Sequence, residues 1–545
     1  MRCIQLALPS LLTLAVAQAL AAPPDAGQIS REPRAPLAPP STAPALRIDQ
    51  PVGGSIPEGG PTVRLQGLRF QGNSAFSQAQ LQALLADAVG RELSFADLNR
   101  LAERVTRRYR EAGYLVARAY LPAQELKDGQ LDIAVLEGRL TRVELRNGAG
   151  LADSALAPLG QLPLDTPVQT RSLDQTLLTL ADLPGTSVQT TLRPGQTVGA
   201  SELLVDVSRT RRFEGSVDAD NFGGTYSGEY RLGTSLYWNN PLDRGDQLSL
   251  RLQASDAQLR YERLGYQLPL GWGTRVGAAA SNMSYRLGKE FAVLDAHGSS
   301  RTTSVYLRQT LLRSLDANWW GQLQFDHKRL HDLVGSTATS SRQTLDNLIA
   351  GLNGDWQDGL LGRASNALSL NLSSGHLTLD TASALLDAAG PRSAGDFNKL
   401  EASWQRVQVL RPGLNLLLNL RGQVADRNLA SAEKFSLGGS QGVRAYAQGE
   451  GLGDTGWLAT VELRWALNPA WQLLAFADAG GVKTDQQPWT AGNHHRRLAG
   501  PGVGASWGQG NSQVSASAAW ASDRESPRPQ PDRRPRLWVQ GTLSF

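Results

Sequence analysis

From Arg209 to Phe545 the chain alternates apolar and polar residues in segments of ten to fifteen, separated by clusters of Gly, Asn, Asp, Ser and Pro. A period of two puts successive side chains on opposite faces, so each segment predicts a strand. Residues 213–221, 226–238, 247–254, 259–268, 275–285, 302–312 and 319–328 begin a series of about sixteen. The last segment is the cleanest: Leu537, Val539, Gly541, Leu543 and Phe545 share one face, and Arg536, Trp538, Gln540, Thr542 and Ser544 the other. Strands of about 9–11 residues with aromatic residues near their ends suit an outer-membrane barrel, and bacterial barrels end on an aromatic such as Phe545, an expected assembly signal. A soluble sandwich of this many strands would still have to hide its edges, whereas closure in lipid removes them and satisfies every backbone group. The pattern therefore predicts a mainly β fold in which 209–545 is a transmembrane barrel of antiparallel strands.

Upstream the periodicity is mixed. In 62–138, Val63 to Gly72 reads as a strand and Ser77 to Val89 as a helix with Leu81, Leu84 and Leu85 on one side. Ser94 and Asp97 make a capping-box start for a helix whose Phe95, Leu98, Leu101, Val105 and Tyr109 recur at helical spacing. Strands at 115–121 and 130–136 follow. The same order, strand, helix, helix, strand, strand, recurs in 139–208, so two tandem α+β modules are expected. A small three-stranded sheet leaves an edge free, and a free edge can take up an extended peptide by strand addition.

The N-terminus adds an address. Residues 1–22 carry Arg2, an apolar run around Leu11, Leu12, Leu14 and Val16, and small residues Ala17, Ala19 and Ala21, the layout of a secretory signal peptide. Residues 23–61 hold ten of the 28 prolines. Too few large apolar residues lie among them to offset ordering, which predicts an extended linker. No later window approaches the ~20 apolar residues of a spanning helix. The net charge of +4 is too small to point to nucleic acid. Cys3, the single cysteine, lies in the targeting segment, which excludes disulfides, thiolate zinc sites and cysteine nucleophiles from the mature chain.

One stretch stands out from the strands, Lys434 to Gly456, a Gly-rich loop with a single arginine, Arg444. After it, Trp457, Ala459, Val461, Leu463 and Trp465 alternate with Leu458, Thr460, Glu462 and Arg464; before it, Leu414, Leu416, Leu418 and Leu420 share a face. Further on, Trp471, Leu473, Ala475, Ala477 and Ala479 continue the apolar band, which turns Phe476 and Asp478 to the other face. A bidentate bridge from Arg444 to Asp478 would be geometrically specific in a cavity. Spacing alone leaves the alternative of a solvated loop cation and an unrelated acid. Other motifs fail on context. Gly451 to Gly456 fits G-x-G-x-x-G but lies between a loop and a strand, not between a strand and a helix. His494-His495 lies between glycines in a turn, and His327 and His331 are four apart in a strand, so neither pair reads as a metal site. No cofactor or catalytic constellation is expected.

Taken together, these features resemble the two-partner secretion transporters, the haemolysin-activator and filamentous-haemagglutinin transporter family of POTRA-bearing barrels. In that family the sixth surface loop folds into the lumen and carries Val-Arg-Gly-Tyr or Val-Arg-Gly-Phe, and a barrel strand carries Phe-x-Asp-x-Gly, whose aspartate holds the loop arginine. This sequence has Val443-Arg444-Ala445-Tyr446 and Phe476-Ala477-Asp478-Ala479-Gly480, with Ala445 where the family has glycine. The resemblance implies an outer-membrane location, POTRA-like modules in the periplasm, an inward loop over 427–456, and assembly by the barrel machinery into outer-membrane lipid. It also implies a large haemolysin- or adhesin-like exoprotein partner, secreted through the pore without catalysis. Many members plug the pore with a helix before the linker; here prolines interrupt 23–61 so often that the sequence leaves the presence of such a plug open. An outer-membrane insertase would share the architecture, and a solute porin would share the barrel alone.

Overall fold

In the computed structural model, residues 23–30, 46–48, 61–522 and 533–545 are described. The expected signal peptide, 1–22, and most of the expected linker lie outside them. In the first module, Gly67–Gln71, Gln130–Leu136 and Arg118–Tyr120 form a three-stranded sheet, the first pair parallel and the second antiparallel. Helices Gln78–Leu84 and Phe95–Glu111 cover one face, each started by a capping box, at Ser77 with Gln80 and at Ser94 with Asp97. Their apolar sides, Leu81, Leu98, Leu101 and Val105, pack on Leu68, Phe70, Ile133 and Val135. The strand expected over 63–72 is in fact two. Thr62–Arg64 pairs with Glu92–Ser94, and Leu65 turns into the core before Gly67.

A buried carboxylate, Glu137, ties the first module together. It accepts hydrogen bonds from the Ser74 N–H (2.6 Å), the Ala75 N–H (2.8 Å), the Tyr109 hydroxyl (2.9 Å) and the Ser74 hydroxyl. Burial alone would push this carboxyl up, but these donors, Ser74 foremost, hold it below the usual glutamate range.

The second module has the expected helices, Asp153–Leu156 and Thr170–Ala181, but a four-stranded sheet. Thr186–Pro194, Ala200–Arg209 and Arg139–Asn147 are its own strands; the fourth, Leu46–Ile48, comes from the expected linker and lies parallel to Thr186–Pro194. An extended segment can satisfy an exposed edge as well as any partner, which is why this piece of the Pro-rich region is ordered. The start of the region departs from the linker reading too. Ala26–Ile29 forms one helical turn, capped by Asp25 and buried among Met283 and Tyr285 of the barrel's inner wall and the loop residues Tyr226 and Leu259. Its Ala26 N–H donates to Asp332 (2.7 Å), and Asp25 accepts from the Ser431 hydroxyl (2.7 Å). The prolines rule out a long helix but leave room for this turn.

Sixteen antiparallel strands close the barrel. They are β1 (Phe213–Asp220), β2 (Arg231–Asn239), β3 (Gln247–Ser255), β4 (Arg260–Gly271), β5 (Thr274–Arg286), β6 (Ala296–Arg313), β7 (Ala317–Val334), β8 (Thr339–Asp358), β9 (Ala364–Leu379), β10 (Gly395–Arg411), β11 (Leu414–Ala425), β12 (Thr455–Ala466), β13 (Trp471–Lys483), β14 (His495–Gln509), β15 (Ser512–Ala519) and β16 (Arg536–Ser544). Closure runs through β16 to β1, with Leu543 opposite Val217. The strand bounds differ from the sequence reading in two respects. β2 begins at Arg231, not at Tyr226, because Tyr226 is in a loop and packs edge-on against Phe291. β6, β7 and β8 reach 18 to 20 residues, since pairing continues in water beyond the point where apolar alternation fades into His, Arg, Asp and Ser. The second module docks on the barrel through Asp182, whose carboxylate receives both forks of Arg313 (2.8 and 2.9 Å) and whose carbonyl accepts from Arg275 (2.9 Å).

Candidate functional site: an inward loop clipped to the barrel wall

Between β11 and β12 lies the sixth loop on the side away from the modules. Its apolar residues, Phe435, Leu437, Val443, Ala445 and Tyr446, explain why it folds inward: they are buried against Leu458, Phe476, Val482, Leu498 and Ala519 of the inner wall. A short antiparallel pairing of Phe435–Ser436 with Leu452–Gly453 narrows the loop's base. Wall glycines allow the close approach. A Cβ on Gly480 would lie 2.4 Å from the Leu437 side chain, and one on Gly500 would lie 2.6 Å from the Ala445 Cβ.

At the tip, Arg444 is held on every side. Its Nε (2.8 Å) and Nη2 (2.9 Å) donate to the two oxygens of Asp478, and its own backbone N–H donates to Asp478 as well (3.1 Å). Its Nη1 donates to Glu462 (2.7 Å), whose other oxygen accepts from Arg464 (2.7 Å). Asp478 is fully buried and also accepts from the Thr460 hydroxyl (2.9 Å). The guanidinium carbon sits 3.2 Å from the Phe476 ring centre, a cation–π contact. From the other side, the Trp538 indole on β16 donates to the Arg444 carbonyl (2.7 Å). Ala445 has no left-handed backbone, so alanine stands there without strain.

Val443, Arg444, Tyr446, Phe476, Asp478 and Gly480 thus form one cluster, and Phe545 stands apart, its N–H and C=O bonded to Gly215 at the β16–β1 seam. Sequence reasoning missed Glu462, Thr460 and Trp538 as partners. The signal for the first two was present, because they share the inward face that Asp478 occupies one strand on. It also missed a second cluster at the loop's base. There Glu433, buried in the loop, takes Lys328 (2.7 Å) and Lys399 (2.9 Å) from the wall, and Asn347 donates to it (2.9 Å). Burial opposes its charge, but the two ammonium groups outweigh it and hold the Glu433 carboxyl well below its usual range.

A lipid-spanning cylinder with N-terminal modules and a loop clipped inside its lumen defines an outer-membrane protein-transport barrel. The chain belongs to the haemolysin secretion/activation protein ShlB/FhaC/HecB family, whose model matches residues 199–507, and residues 63–138 match the ShlB-type POTRA domain. The heme/hemopexin transporter protein HuxB of Haemophilus influenzae is 30% identical over 415 residues, 73% of each chain. The outer membrane transporter CdiB of Dickeya dadantii is 26% identical over 424 residues, 76% of this chain and 74% of that one. In three dimensions the chain is similar to CdiB from Escherichia coli, with a TM-score of 0.68 and 22% identity over 91% of this chain and 93% of the other. The protein is therefore a two-partner secretion transporter of the outer membrane, with its modules on the periplasmic side.

Proposed function

We propose that the cargo is a large exoprotein captured unfolded by the two modules, and that the Arg444 clip holds the inward loop as part of the conduit through which it passes. Capture rests on main-chain pairing at a module edge, with apolar side chains beside it giving selectivity. The Thr186–Pro194 edge carries Leu46–Ile48, so cargo that uses this edge displaces that strand. Within the barrel, the loop flanks the path, and the protein's work is positional: no bond of the cargo is made or broken, and folding outside the cell makes return improbable. The name of HuxB makes a heme- or hemopexin-binding exoprotein the first cargo to try; a haemolysin- or adhesin-like one is the second. The single observation that carries this reading is the four-point grip on Arg444 by Asp478 and Glu462 inside a closed cylinder. The test is Arg444→Ala in cells that co-express a candidate exoprotein of this kind. The barrel should reach the outer membrane and keep its heat-modifiable migration, while extracellular cargo falls at least about tenfold, the equivalent of one strong charge-assisted contact. Undiminished export by this variant would end the reading.

A further inference from the structure

The outer wall of the barrel bears a charge arrangement that cargo passage does not use. On β6 and β7 the lipid-facing positions include Val305, Leu307, Leu323 and Phe325, all exposed and apolar. On the same faces, toward the end away from the modules, stand Arg301 and Arg329, and the strand register sets them directly opposite each other. Side chains opposed across antiparallel strands lie about 4.5–5.5 Å apart at Cβ, and like charges there repel. Their own neighbours in register, Asn282 on β5 and Thr344 on β8, bring no carboxylate. Arg329 is also fixed in place: its Nε donates to His327 (3.0 Å), which is bonded through its other nitrogen to Asp346 (2.6 Å). That Asp346 is thereby engaged, and Glu262, two strands from Arg301, is engaged by Asn282 (3.0 Å). Among the described residues, no hydrogen bond or ion pair occupies Arg301 or the terminal nitrogens of Arg329. Two guanidinium groups are thus turned to the outside with their repulsion uncancelled.

Their height selects the ligand. Trp319, stacked on Trp356 at 5.6 Å, marks the belt nearer the modules, and a tilted strand crosses the apolar layer in about 9–11 residues. Arg329 is ten residues beyond Trp319 on the same strand, which places it at the far, outer-leaflet headgroup level. Guanidinium forks suit phosphate oxygens, and the apolar side chains below would meet acyl chains. We propose that Arg301 and Arg329 clamp the phosphate of a phosphorylated glycolipid of the outer leaflet, whose chains lie against Val305, Leu307, Leu323 and Phe325.

The test uses the purified full-length protein and native mass spectrometry after exchange into mild detergent. Bisphosphorylated lipid A, the same lipid stripped of its phosphates, and inorganic phosphate are added in parallel. Wild type should retain the phosphorylated lipid at least about tenfold better than the stripped form, and Arg301→Gln with Arg329→Gln should abolish that preference. Arg342→Gln, one step further from the apolar band, should leave it. Heat-modifiable migration checks that each barrel is folded, and the single Arg301→Gln serves if the double variant is not. Equal retention of the two lipids, or an unchanged preference in the variant, overturns the proposal. So does inorganic phosphate that displaces the lipid completely, which would mark a site for free anion instead.

Discussion

The inward loop is held at two ends by the same arithmetic with opposite signs. At the tip the loop supplies one cation, Arg444, and the wall two acids, Asp478 and Glu462; at the base the loop supplies one acid, Glu433, and the wall two cations, Lys328 and Lys399. The ends differ in how the charges are held. Arg444 is a planar fork with directional bonds, and its side chain keeps 14% of its exposure; Glu433 keeps 3% and binds two rotatable ammonium groups. A directional bond at a partly wetted site is lost by a small displacement, whereas a nearly dry charge among counter-charges has nowhere to go. We read the base as a pin that belongs to the fold and the tip as a latch that belongs to transport.

The largest effect should come from breaking the pin. Glu433→Ala removes the carboxylate between Lys328 and Lys399 and leaves Lys399 only the half-exposed Glu401 (3.2 Å), and removing one partner from a buried ion pair costs about 3–5 kcal/mol. Urea unfolding of the barrel in lipid vesicles should show a loss of that order, and export should fall only as far as the amount of folded barrel falls. Acid gives the same contrast without a mutation. Because the Lys pair depresses the folded-state pKa of Glu433, its stabilising charge is present above the ordinary value of 4.5 and is lost only as pH falls through the lower folded value. Taking the protein from pH 7 to pH 5 should therefore leave the distance between spin labels on the loop base and the wall unchanged.

Arg444→Lys sharpens the comparison at the other end. The charge stays, so Asp478 is not left bare, but one ammonium cannot serve both Asp478 oxygens and Glu462 while stacking on Phe476. The loss of the fork should cost about 1–2 kcal/mol. Export should fall out of proportion to that small change in unfolding. If instead the base variant blocks export at full barrel content and the tip variant does not, the assignment of pin and latch is reversed.

How much of this could be read from the chain differs between the two ends for a physical reason. Both halves of the tip are local signals: Arg444 is the one arginine in a Gly-rich stretch, and alternation along β13 turns Asp478 inward beside Phe476. The barrel was legible likewise, because lipid on one face and lumen on the other impose period two on every strand. The base has no such signature. Lys328 and Glu433 are 105 residues apart, and their meeting depends on register summed across the sheet and on how deep the loop folds back. The one-turn helix at Ala26–Ile29 was hidden by composition, since four residues are too few for a period. The strand Leu46–Ile48 was hidden because its partner edge, not its own sequence, orders it.

The smallest expected effect bears on whether the latch extends to the closing strand. Trp538 is on β16, three strands beyond Asp478, and its indole N–H is the donor to the Arg444 carbonyl. Trp538→Phe keeps an aromatic ring to pack edge-on against Phe222, whose centre is now 5.8 Å away, and deletes only the donor. The carbonyl then loses a single neutral hydrogen bond, about 1 kcal/mol. If the tip is gripped from both walls, spin labels on the loop tip and β16 should show a broader distance distribution in this variant, with the unfolding midpoint almost unmoved. Combined with Arg444→Lys, the two losses in export should exceed their sum, since both act on one residue's position. Strict additivity would mean that the indole bond is incidental and that the latch is made by β12 and β13 alone.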